Sequence, residues 1–215
     1  MEDNDLKERI LTKSEEIFFQ FGYSRVTMDQ IAESLGISKK TLYKYFDSKE
    51  NLLRSIIDKL KFSIRTNCDL ICNNGDMPFI MKLKTLMNYI AKWSTRLRGP
   101  LPEDIQKNHP EIWRDINEHR RKESLAKFAG LITEGVEQGV FRKDIDQQVI
   151  VLTYVNAVSS LINPETLSQL PYTGDQVFEM LLNIIFEGIF TEEGREKYKS
   201  SKTNFEKNEQ GEMIK

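Results

Sequence analysis

The sequence predicts an all-α protein, with a small N-terminal unit of three short helices followed by a larger helical body. Three observations carry that prediction. Apolar residues recur at three- and four-residue spacing through most of the chain. Breakers are sparse: 11 Gly and 6 Pro in 215 residues, below the combined average of about 12%. Charged residues reach 30%, enough long side chains to solvate many helix faces.

Taken in order, Leu6, Ile10, Ile17, Phe18 and Phe21 give one apolar face to a first helix, and Gly22 ends it because a residue without Cβ closes a helix at low steric cost. Thr27 is placed to cap a second, short helix carrying Ile31, Ala32 and Leu35. Gly36 breaks that helix. Ser38 caps a third with Leu42 and Phe46 pointing inward, and Ser48 opens a longer fourth through Leu52, Leu53, Ile56 and Ile57. The Gly-containing turn between the second and third helices makes them a helix-turn-helix arrangement.

Beyond the fourth helix, Asn73, Asn74, Gly75, Asp76 and Pro78 form a loop cluster. Residues 79–98 read as a helix broken by Gly99, Pro100 and Pro102. Pro110 opens a long helix over 111–138, stopped at Gly139. Segments 144–162 and 175–190 are the most apolar, and the second is apolar nearly all round, so it must be buried on more than one side. A second copy of the chain, paired through these two segments, is the expected cover. From Thr191 onward the chain is polar and expected to fray. The expected division is 1–50 for the reader unit, 51–192 for the body and 193–215 for the tail.

Composition narrows the function classes. The 31 Lys+Arg against 33 Asp+Glu leave a formal charge of −2, and the pI is near 5.9. No global positive field exists to coat nucleic acid or anionic membrane, so any nucleic-acid contact must be a local patch. Two cysteines are too few for a disulfide framework, and a reducing cytoplasm is the expected home. The start, MEDNDLKER, is acidic and lacks the apolar stretch of a signal peptide. The longest uncharged run, 147–163, is too polar for a membrane span of about 20 residues. No phosphate loop, H-E-x-x-H or G-x-S-x-G pattern is present, so no catalytic residue and no cofactor is expected. Cys68 and Cys72 lie four apart, but His109 and His119 do not complete a zinc spacing. Free thiols are the favoured reading, with a thiol-reactive inducer as the minor alternative.

The third helix carries the sharpest signal. It turns Lys39, Lys40, Thr41, Tyr43, Lys44 and Tyr45 outward, with no acid before Asp47. A cylinder studded with cations, hydroxyls and phenols suits a major groove about 12 Å wide. Thr27, Ser38, Ser48 and Lys49 sit at helix N-termini, where free N–H groups and the helix dipole favour phosphate. The run GYSRVTMDQIAESLGISKKTLYKYFDSKENLL resembles the DNA-binding domain of the tetracycline-repressor (TetR) family. More loosely, HPEIW and EGVEQGVFRKDID are similar to the ligand-binding half of many members. The resemblance implies an all-helical dimer that joins a helix-turn-helix reader to an effector-binding body. Three departures stand out: Ser14 replaces a small apolar residue, Lys44 stands where an aromatic or polar residue is common, and Glu2, Asp3 and Asp5 replace a basic arm.

Within the body, Trp93, Trp113 and Tyr154 are the first candidates to line an effector pocket, followed by Tyr89, Phe128, Met81 and Phe178. For any one of them alone, a packed core is the better reading. Arg96, Arg98, Arg120 and Arg121 read as solvent or ion-pair residues. The expectation is a ligand-responsive homodimeric repressor on a palindromic double-stranded DNA operator, with no membrane partner. The alternative is a DNA-bound architectural or partner-recruiting protein without an effector, which predicts a filled body.

Overall fold

The computed structural model describes residues 2–96 and 99–208, and among these residues the chain is built from eleven helices. The first four are α1 (Glu2–Phe21), α2 (Met28–Leu35), α3 (Lys39–Tyr45) and α4 (Lys49–Cys72). Side-chain caps set the starts of α2, α3 and α4. Thr27 Oγ1 accepts the Gln30 N–H at 3.3 Å while Gln30 Oε1 accepts the Thr27 N–H at 2.9 Å, a reciprocal capping box. Ser38 Oγ accepts from Thr41 N and Ser48 Oγ from Asn51 N, each at 3.0 Å. Gly36 ends α2 at φ 66°, ψ 29°, a left-handed conformation that glycine adopts without a Cβ penalty. These local devices fix the angle between α2 and α3.

The body contains α5 (Phe79–Thr95), α6 (Pro100–Asn108), α7 (Pro110–Glu137), α8 (Gln147–Leu161), α9 (Pro164–Ser168), α10 (Gly174–Ile189) and α11 (Glu192–Asn208). Its core gathers Leu83, Ile132, Val155, Phe178 and Phe186, with α10 packed on α5 and α7 on α8. The α5–α10 contact is very close. A Cβ on Gly174 would lie 2.2 Å from the Ser94 carbonyl oxygen, so no other residue fits there without moving backbone. Lys82, buried on α5, is neutralised by Glu134 of α7 at 2.8 and 3.0 Å.

A second core belongs to the N-terminal unit: Ile10, Phe18, Ile31, Leu42, Phe46, Leu52, Leu53 and Ile56. It does not stop at residue 50. It runs along α4 to Ile57 and takes in Leu101 and Ile105 of α6 and Ile112 of α7. α4 therefore serves both cores, with Ile64, Ile71 and Cys68 packed into the body.

The structure differs from the sequence reading in five places. The stretch read as a proline-rich break contains α6, because Pro100 and Pro102 fall in a first turn, where a missing N–H costs nothing. A further short helix, α9, follows α8 under an Asn163 cap. Phe21, assigned to the apolar face of the first helix, is 50% exposed at its last position. The tail expected to fray begins instead as α11, anchored by the buried Tyr198 ring 5.0 Å from Phe190. The expected helix over 79–98 ends at Thr95, and Leu97, Arg98 and 209–215 lie outside the described residues. No helix among the described residues is long and apolar enough to cross a membrane.

Ser14 is fully buried in the N-terminal core and its Oγ has no hydrogen-bond partner. A stranded buried hydroxyl costs about 1–3 kcal/mol. Ser14→Ala is expected to raise the thermal midpoint by about 2–4 °C, for a gain of about 1 kcal/mol in a chain of this size. An unchanged or lower midpoint in calorimetry contradicts this reading.

Candidate nucleic-acid interface and cavity

On α3, Lys39, Lys40, Tyr43 and Lys44 are exposed, Thr41 and Tyr45 half-buried, and Leu42 and Phe46 buried. Four of the six side chains expected to point outward are thus exposed, and both expected inward anchors are buried. The cations are not equivalent. Lys39 is ion-paired with Asp29 of α2, and Lys44 Nζ lies 5.5 Å from the Tyr45 ring centre. The hydroxyls of Thr27, Ser38 and Ser48 are engaged in their caps.

Lys49 differs most from the expectation of a phosphate-facing side chain. Its ammonium is turned inward, donating to the Tyr23 and Val26 carbonyls at 2.9 and 2.8 Å and lying 4.2 Å from the Tyr23 ring centre. In the α1–α2 loop the Tyr23 carbonyl has only a long backbone bond from the Val26 N–H at 3.3 Å, and Lys49 supplies a shorter donor to it and one to the Val26 carbonyl. Burial lowers its pKa, with Asp104 opposing.

Polar contacts latch this unit to the body. Asp104 on α6 accepts the Ser24 N–H at 2.5 Å and the Ser24 hydroxyl at 2.6 Å, and also takes Asn108 Nδ2 at 2.7 Å. Burial alone would raise the Asp104 pKa, but the Ser24 and Asn108 hydrogen bonds bring it below the usual carboxylate value. His109 adds an edge-on ring contact to Tyr23 at 4.8 Å. Arg96, at the end of α5, reaches back to Glu15 of α1 at 2.8 Å, and its guanidinium lies 4.1 Å from the Phe19 ring centre and 4.7 Å from that of Trp93.

Between α4, α5, α7, α8 and α10 lies a cavity of about 210 Å³. Trp93, Phe128, Tyr154 and Phe178 line it, as expected; Trp113, Tyr89 and Met81 do not. Trp113 lies on α7 about two turns before Arg120 and packs against the N-terminal core. Tyr89 packs against the body core, and Met81 is 45% exposed. Phe128 and Tyr154 stack at 3.8 Å. The wall also holds residues that were not among the pocket candidates: Cys68 and Arg65 of α4, and His119, Arg120, Glu123 and Lys127 of α7. Their spacing of three and four along each helix is the signal that could have found them.

Cys68 and Arg120 are both perturbed by burial. Burial, with Cys72 adding to it, pushes the Cys68 thiol up to about 12, so little reactive thiolate exists at neutral pH. Arg120, read as a solvent or ion-pair residue, is instead half-buried and donates Nη1 to the Ile162 carbonyl at 2.8 Å. Burial lowers its pKa, with Tyr154 opposing, and burial likewise raises the Tyr154 phenol well above its usual value.

A model of the family described as "Bacterial regulatory proteins, tetR family" matches residues 10–56, the stretch that forms the helix-turn-helix unit. The HTH-type transcriptional regulator YhgD of Bacillus subtilis is 35% identical over 162 residues, covering 74% of this chain and 83% of that protein. The chain belongs to the tetR family. This TetR-family regulator is also 38% identical over 130 residues to IcaR of Staphylococcus aureus, a negative transcriptional regulator of a biofilm operon, over 57% of this chain and 69% of IcaR. A TetR transcription regulator from Haloarcula marismortui has the same fold, with a TM-score of 0.67 at 17% identity over 87% of this chain and all of that one. DNA binding and transcription regulation follow from membership.

The Asp104 latch gives a pH dependence with a defined sign. A carboxylate whose folded pKa lies below its unfolded value of about 3.9 stabilises the protein above that value and loses the contribution as pH falls through the folded pKa. Wild type is therefore expected to have a higher urea midpoint than Asp104→Asn at neutral pH, with the gap narrowing on acidification to about pH 3. A gap that does not change with pH contradicts the assignment.

Proposed function

We propose that this TetR-family regulator is a homodimeric repressor that releases a palindromic operator when a small molecule enters the body cavity. The observation that carries the reading is the double role of α4. Its first turns are part of the N-terminal core through Leu52, Leu53 and Ile56, and its later turns wall the cavity through Ile64, Arg65 and Cys68. A molecule wedged between α4 and α7 displaces the helix on which the reader is mounted. Trp93 gives a second route, because it touches both the cavity and the Arg96 guanidinium held by Glu15. A ligand shifts the balance only by its differential affinity for the two arrangements, and about 1.4 kcal/mol moves it tenfold. The alternative without an effector calls for a filled body, and a 210 Å³ cavity favours the ligand-responsive reading.

Dimerisation is supported by what α8 and α10 leave uncovered. Val149 and Leu152 of α8 and Met180 and Ile184 of α10 are exposed, Ile184 at 74%, although both helices also contribute heavily to the body core. These apolar positions extend a helical pair that a symmetric copy can bury. Two copies then present two α3 helices to successive major grooves, about 34–36 Å apart or a multiple of that. Lys40, Tyr43 and Lys44 are the side chains reaching for the groove, with Lys39, Thr41 and Tyr45 beside them. The N-termini capped by Thr27, Ser38 and Ser48 face the phosphates through their backbone N–H groups. The negative regulation in the name of IcaR supports repression as the output.

Three variants test this. Lys40→Ala is expected to weaken operator binding, with a salt slope shallower by about 0.9, and to leave the thermal midpoint unchanged. Lys49→Ala is expected to lower the midpoint, because it removes the ammonium donor shared by the Tyr23 and Val26 carbonyls. If the two variants behave alike in both assays, the assignment of roles on α3 and α4 is wrong. Ile184→Glu is expected to convert the dimer to a monomer in sedimentation and to abolish tight operator binding. A dimer that persists at micromolar concentration places the interface elsewhere.

A further inference from the structure

The cavity wall is mostly apolar, yet its charged members are unequal. Lys127 is ion-paired with Asp69, which also has Arg65 at 3.8 Å, and Lys61 has Asp58 at 3.9 Å. Glu123 is the one acid among the lining residues. Arg120 has no carboxylate within ion-pair distance among the described residues, and its recorded hydrogen bond is to the neutral Ile162 carbonyl at 2.8 Å. A guanidinium offers five N–H donors, so most of its capacity is left for a ligand. Burying such a cation without an anion is costly, and an arriving carboxylate removes the cost while making charge-assisted, bidentate hydrogen bonds.

We infer that Arg120 is the anion anchor of the cavity and that the effector is a small carboxylic acid with an apolar body. The inference rests on reading the cavity as the effector site. Size supports the class: a cavity of about 150 Å³ admits benzene, so 210 Å³ admits one ring or a short branched chain together with a carboxylate. Ile90, Leu131, Val158 and Phe178 receive the apolar part. The Tyr154 hydroxyl is a donor on the same wall, and the Phe128–Tyr154 stack gives an aromatic body a flat surface.

The test uses four acids, benzoate, phenylacetate, hexanoate and isovalerate, with the matched amide and amine of each. Calorimetric titration gives affinity, and gel shift on the protein's own upstream DNA gives release. At least one acid is expected to bind tenfold or more tightly than its amide and amine. Arg120→Gln is expected to remove that preference while leaving amide binding intact, and Arg120→Lys is expected to keep a preference for acid. Wild-type levels of amide binding in the Gln variant show that the cavity is intact. The inference is overturned if amides or amines bind as well as acids, if Arg120→Gln binds acids unchanged, or if no acid binds. The two readings fail separately. Acids that bind through Arg120 without releasing DNA remove the effector reading and leave the anion site. Amides or amines that release DNA where acids do not keep the effector reading and remove the anchor.

Discussion

Burial of one face of the first turns of α4 is the constraint on which the rest of the molecule depends. Leu52, Leu53 and Ile56 are fully buried in the N-terminal core, each at a value of about 1.5–3 kcal/mol on transfer from water. That anchorage makes α4 inseparable from the helix-turn-helix unit. Sixteen residues on from Leu52, the same helix has Cys68 in the wall of the cavity. A helix rises about 1.5 Å per residue, so a tilt at one end is delivered to the other as a displacement and is not absorbed by a loop.

The contacts around α4 differ in kind, and the difference matters for function. Apolar burial is non-directional and tolerates small rotations. The Asp104–Ser24, Arg96–Glu15 and Lys49 contacts are directional and short, and each bridges an element of the N-terminal unit to a neighbour. They select one angle among those that the apolar contacts permit. Moving the reader therefore means breaking a few named hydrogen bonds, while the core that holds the unit together stays closed.

The reader unit was legible because its signals are local. Caps at Thr27, Ser38 and Ser48, the left-handed Gly36 and the inward Leu42 and Phe46 each act within a few residues of themselves. The inward turn of Lys49 was not legible, since it depends on two carbonyls 23 and 26 residues away. α6 was missed because the prolines that break a helix interior also start a helix well. The cavity was half legible. Aromatic size identified Trp93, Phe128, Tyr154 and Phe178, but not which face of its helix each bulky residue occupies, so Trp113, Tyr89 and Met81 were misplaced. On α7 the cavity face mixes Ile116, Phe128 and Leu131 with His119, Arg120, Glu123 and Lys127, and a helix whose inward side carries charge shows no clean apolar stripe from which to read its phase.

The fit of Gly174 beneath the Ser94 carbonyl has a mechanical consequence. It clamps the last turn of α5, with Trp93, to the start of α10, the helix with the uncovered apolar stripe. That side of the cavity is a fixed jaw, seated on the platform two copies would share. The walls left to yield are α4, α7 and α8, and of these α4 is the one whose first turns are rooted in the core of the helix-turn-helix unit.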